Sequence, residues 1–154
     1  MKAIWQIPAV VAQTETIARS LKHFTRRELL PGTHSAADLA EKVFHAPFVL
    51  VSHDTEADPV LNYGNATALA LWEMSWEELT RTPSHKTAEA PNRQERSRLL
   101  AAVYNQGFID DYSGIRISKN GRRFRIKQAT VWNLVTPELR PCGQAAMFSQ
   151  WEFI

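Results

Sequence analysis

The pair Asn120-Gly121 stands between two runs of alternating character, YSGIRISK before it and RRFRIKQATVWNL after it. An Asn-Gly pair supplies the two positive-φ positions that a tight two-residue hairpin turn requires. Such a turn fixes the register of both strands. The cross-strand pairs expected from it are Lys119–Arg122, Ile117–Phe124, Ile115–Ile126, Ser113–Gln128, Asp111–Thr130 and Ile109–Trp132. Side chains alternate along a strand, so all of these share one face. The apolar ends of that set make it the inner face, and its middle carries Asp111, Ser113, Gln128 and Thr130. The opposite face carries Arg116, Arg125 and Lys127, with Arg116 across from Arg125.

Polar groups buried without partners cost on the order of 1–3 kcal/mol each. Three readings of the inner cluster follow. The four groups satisfy one another, the backbone or water. They line a cavity and hold the polar edge of a small ligand. Or a β-bulge shifts the register and turns some of them outward. The basic face reads most simply as long side chains splayed into water. No aromatic ladder accompanies it, as a platform for single-stranded nucleic acid would need.

The rest of the chain divides into a helical front and a sheet-rich back. Val10, Thr14, Ile17, Leu21 and Phe24 recur at helical spacing, and Pro31-Gly32 is placed to stop that helix. Ser35 caps a second helix, with Asp38 three positions on. Two short strands, Phe48 to Val51 and Val60 to Tyr63, flank a polar loop. Asn65 and Ser75 each cap a short helix, the second with Glu78 completing a capping box. A longer helix runs from Asn92 to Gln106, buried through Leu99, Leu100 and Val103 and ended by Gly107. Strands then occupy Phe108 to Ser118, Arg122 to Val135 and Gly143 to Trp151.

That order of elements resembles a PAS domain. More narrowly, NYGNATALALWE, TPSHKTAE, DDYSGIRIS, GRRFRIKQATVWNL and GQAAMFSQW resemble the MEKHLA domain, a PAS-related family, in its stand-alone bacterial form. The likeness runs from about Ala36 to Trp151. It implies an α+β fold: a five-stranded antiparallel sheet with helices on one face. Residues 1–34 would be an N-terminal helical extension and 35–154 the PAS-like domain. PAS-like domains commonly hold a small ligand between sheet and helices, or dimerise. Trp72, Trp132 and Trp151 would meet around that cavity. With Asp111, Ser113, Gln128 and Thr130 they make the candidate ligand site for a small, partly planar molecule.

Competing chemistries find little in the sequence. Thr80 to Asn92 contains no cysteine, which gives no support to covalent flavin photochemistry. A heme is not favoured either, because the long helix has no histidine and His85 lies only in the loop before it. His53 to Asp58 lacks metal-ligand spacing, and no catalytic triad or phosphate loop is present. Asp111 is the one conceivable general base, so an enzyme using the same cavity is the least favoured reading. A ligand-free interaction module is the nearer alternative to a sensor. The net charge of +2 argues against nucleic acid as a partner, and no apolar run approaches the ~20 residues of a membrane span. The single cysteine, Cys142, suits a reducing compartment, so a cytoplasmic location is expected. The expected partners are a small-molecule ligand, a second copy of the chain and a separate signalling protein. The stripe of the first helix is the candidate dimer surface.

Overall fold

The computed structural model describes residues 2–154, except the side chains of residues 90 and 91. After a 3-10 turn at Ile4–Gln6, α1 spans Pro8–Thr25. Pro8 sits in its first turn, where a missing N–H costs no hydrogen bond. The helix buries Val10, Thr14, Ile17, Ser20 and Leu21, close to the expected stripe. It stops earlier than Pro31-Gly32, at Arg26, which takes a left-handed conformation (φ 66°). α2 (Ala36–Phe44) starts from Ser35, whose hydroxyl accepts the Asp38 N–H.

Six strands form one antiparallel sheet. These are β1 (Val49–His53), β2 (Leu61–Gly64), β3 (Phe108–Ile117), β4 (Arg123–Val135), β5 (Pro141–Phe148) and β6 (Gln150–Phe153). Their order is β2-β1-β5-β4-β3, with β6 also on β4. The expected last strand is broken at Ser149. β5 pairs with the Thr130–Val135 part of β4, and β6 pairs with Phe124–Lys127.

α3 (Ala66–Trp72) and α5 (Ala90–Gln106) pack on one face of the sheet, and α4 (Trp76–Leu79) lies against β2 at its edge, with Trp76 edge-on to Tyr63. Their boundaries follow the local signals. Asn65 accepts the Ala68 N–H, Ser75 and Glu78 form a capping box, and Gly107 ends α5 with φ 98°. The other face is covered by α1. Ile17 and Leu21 pack with Trp132 and Leu134 of β4, together with Val43, Leu50 and Tyr63. The stripe expected to serve a dimer is therefore covered by the chain's own sheet.

The hairpin corrects the expected register. Its loop takes three residues, 119–121. The Ser118 N–H donates to the Arg122 carbonyl (2.9 Å), and the Gly121 N–H to the Ser118 carbonyl (3.0 Å). Gly121 adopts φ 87°, the left-handed position that closes a three-residue loop. Arg116, not Ile117, therefore pairs with Phe124, and Gly114 pairs with Ile126. Further along, the register shifts twice around Tyr112, while Asp111 (φ 58°) and Gln128 (φ 52°) take left-handed conformations typical of bulges. A one-residue slip exchanges the two faces of a strand. That exchange decides which side chains reach the helices.

Candidate functional site

Asp111, Ser113 and Gln128 are exposed and do not line the cavity between the sheet and the helices. The bulges and the longer loop turn them outward. Thr130 is buried, but on the α1 face, where its hydroxyl donates to Asp110 (2.8 Å). Arg27 grips the same carboxylate at 2.8 and 2.9 Å. Burial pushes the Asp110 carboxyl up, but these bonds outweigh it and leave its pKa below the ordinary value. Trp132 is fully buried on the α1 face, where its indole N–H reaches the Ile17 carbonyl. Trp151 packs edge-on against Phe148. Of the seven candidates only Trp72 lines the cavity.

The cavity lies between the sheet and the helices α3 and α5. It fills the gap between two apolar clusters, one including Trp72, Ile126 and Phe148, the other Leu99, Val103 and Val131. Its free volume is about 60 Å³, room for several water molecules. Most of its wall is apolar. Its polar side chains are Arg96 from α5, Tyr112 and Arg116 from β3, Ser52 and His53 from β1, Gln144 from β5, and Ser84 and Thr87 from the turn before α5.

Arg116 belongs to the set expected on the solvent face. The register brings it inside instead, where it is 6% exposed. It donates to its neighbouring Ile115 carbonyl (2.9 Å) and to the Tyr112 hydroxyl (3.3 Å). Arg125 and Lys127 do face outward, toward Glu152 at 3.8 and 3.0 Å. Arg96 is 8% exposed and donates to the Ser84 hydroxyl. Burial draws its pKa down to about 10, and the neighbouring Arg116 charge works in the same direction. It stays charged at neutral pH. Sequence reasoning passed over Arg96, although Arg96, Leu99 and Val103 fall at spacings of three and four on one helix face.

Two further groups at the cavity are incomplete. The Nε1–H of Trp72 and the Nε2 of His53 are buried without a hydrogen-bond partner among the described residues. His53 Nδ1 lies 2.8 Å from the Asp54 carbonyl. A carbonyl only accepts, so Nδ1 carries the proton and Nε2 presents a lone pair when the ring is neutral. Burial lowers the His53 pKa, so the neutral ring prevails at pH 7. His85 lies away from the cavity wall and meets Asp58 at 2.9 Å. Among the described residues no cluster of His, Cys, Asp and Glu could hold a metal ion. No described helix is long and apolar enough to cross a membrane.

A family model for the MEKHLA domain matches residues 11–153. The chain belongs to the MEKHLA domain family. Curated relatives with the same segment are plant homeobox-leucine zipper proteins. ATHB-14 of Arabidopsis thaliana is 29% identical over 65% of this chain and 12% of its own length. ATHB-8 of the same plant is 26% identical over 96% of this chain and 18% of its own. The chain thus spans under a fifth of the length of these relatives. Among solved structures, the PAS domain of a Colwellia psychrerythraea protein superposes with a TM-score of 0.60, covering 75% of this chain and 92% of that one at 18% identity. An RNA-binding light-oxygen-voltage receptor superposes with a TM-score of 0.64, over 77% of this chain and 36% of that one at 16% identity. The MEKHLA domain here therefore has the PAS fold. Its cavity lies between the sheet and the helices, where the resemblance led one to look, but most of its lining comes from other residues.

Proposed function

We propose that this MEKHLA domain is a sensory module that binds a small molecule in the cavity between the sheet and α3 and α5. The observation that carries this reading is a pair of buried, unpartnered polar atoms on two residues that line the cavity, Trp72 Nε1–H and His53 Nε2. Folding leaves few such atoms without partners, because each costs about 1–3 kcal/mol. A ligand with a donor and an acceptor would supply both. The free volume keeps that ligand small.

The relay to the outside runs through β4. Val131 lines the cavity, and the next residue, Trp132, holds α1 through Ile17. A ligand that displaces β4 would shift α1 with it, and so alter contacts with a second copy of the chain or with a separate signalling protein. This is the proposed output.

Native mass spectrometry tests the binding claim. The desalted full chain is incubated with a small-molecule cell extract, and NMR follows the Trp72 indole resonance in parallel. A bound mass together with a shifted Trp72 signal is expected. Only ligand-free mass, with Trp72 unmoved, would overturn the reading.

A further inference from the structure

Arg96 and Arg116 approach the same cavity from opposite layers, α5 and β3, and both are more than nine-tenths buried. Among the described residues neither forms an ion pair. The adjacent acid Glu95 is exposed and accepts from the Tyr112 hydroxyl (3.1 Å) rather than from an arginine. A guanidinium has five N–H donors. Ser84, Tyr112 and the Ile115 carbonyl use only a minority of the ten available.

Two like charges buried together, without a counter-charge, are costly. The surrounding sequence makes this sharper. Ile115 and Ile117 on β3 point to the outer face, while the arginine between them points in. A strand shaped by stability alone would do the reverse. Such inversions concentrate at functional positions.

We propose that the cavity binds a small carboxylate, its anionic end held by Arg96 and Arg116 and its short alkyl part against the apolar wall. The proposal rests on the cavity being a ligand site at all. The planar guanidinium fork matches a carboxylate with two parallel hydrogen bonds. The Trp72 indole N–H offers a further neutral donor. Val51, Leu61, Leu99, Leu100, Ile126 and Val131 provide apolar contacts that inorganic phosphate could not use. The volume of about 60 Å³ is well below the ~150 Å³ that admits benzene, which limits the acid to a few carbons.

Calorimetry and NMR on the full chain test this with acetate, propionate and butyrate. Propionamide and inorganic phosphate serve as the neutral and non-carboxylate probes. Propionate is expected to shift the Trp72 indole and the Arg96 and Arg116 Nε–H signals. Propionamide, matched in shape but uncharged, should bind at least about tenfold more weakly, as should propionate to Arg96→Met or Arg116→Met. Arg125→Met, on the outer face, should bind like the wild type. The ligand-free Met variants should melt no lower than the wild type, whereas arginines kept for stability would lower the melting temperature on removal. If those variants do not fold, the amide comparison on the wild type still decides. Equal binding of amide and acid overturns the carboxylate assignment and leaves the cavity reading standing. Binding of phosphate alone, or no shift with any acid, overturns it as well.

Discussion

Trp132 on β4 donates its indole N–H to the main-chain carbonyl of Ile17 on α1, 3.2 Å away. Both residues are fully buried, so this bond is a fixed point between the sheet and the helix on its outer face. Trp132→Phe keeps most of the apolar contact and removes the donor. A loss of about 1–3 kcal/mol is expected, from the missing bond and the smaller ring. Urea denaturation measures it. An unchanged midpoint would show that α1 is held by its apolar stripe alone. The cavity should be unaffected, because Trp132 does not line it.

Asn65 is a second fixed point. Its side-chain oxygen accepts from the Leu50 and Ala68 N–H groups, and its amide donates to the carbonyls of Val43 and Phe48. One fully buried side chain thus ties α2, β1 and α3 together. Asn65→Ala leaves several of these groups without partners and removes a helix cap. A loss on the order of 3–5 kcal/mol is expected. A loss below about 1 kcal/mol in chemical unfolding would mean that water replaces the amide.

Helix boundaries were legible because their signals are local. Ser35, Asn65, Ser75 with Glu78, and Gly107 act on backbone within three or four residues. The hairpin register was not local in the same way. Asn-Gly fits both a two-residue and a three-residue loop, and the choice moves the β3 side chains between the turn and the bulge at Asp111 to the other face. Two non-glycine residues, Asp111 and Gln128, then adopt left-handed backbone that their identity does not announce. The alternation itself misled, since it assigns Ile115 and Ile117 to the core and Arg116 to water. The cavity's chemistry was hidden by the same inversion that makes it informative.

The capping box of α4 carries a testable charge. Glu78 bonds to the Lys119 ammonium and accepts the Ser75 N–H. The Lys119 bond, and then the Ser75 backbone bond, hold its carboxyl down at about 2, from an ordinary 4.5. A depressed folded pKa stabilises above the unfolded value, and that contribution is lost as pH falls from about 4.5 through about 2. An NMR titration of the Glu78 carboxyl should find its midpoint near 2, and Lys119→Met should move it upward. Both groups are solvent-exposed, so added salt should also move it upward by screening. A midpoint near 4.5 in the wild type would show the pair to be open in solution.

His53 gives the cavity a pH dependence whose sign can be stated. Burial lowers its pKa below the ordinary 6.5, and the Arg96 charge adds to that. The bond to the Asp54 carbonyl and the Asp54 carboxylate act the other way without reversing it, as does the Gln144 side chain, which lies near the ring without completing a hydrogen bond to Nε2. The charged ring is therefore disfavoured in the folded state. Stability from this residue is present above 6.5 and is lost as pH falls through the lower folded value. Urea midpoints measured from pH 7.5 to 5 should fall for the wild type. They should fall less for His53→Gln, which has no proton to take up. A carboxylate bound beside the ring would favour the charged form and raise its pKa. Propionate should then bind more tightly at pH 5.5 than at 7.5, and proton uptake should accompany binding. His53→Gln should remove both effects. Equal affinity at the two pH values, with no proton uptake, would show that the ligand's charge lies away from Nε2.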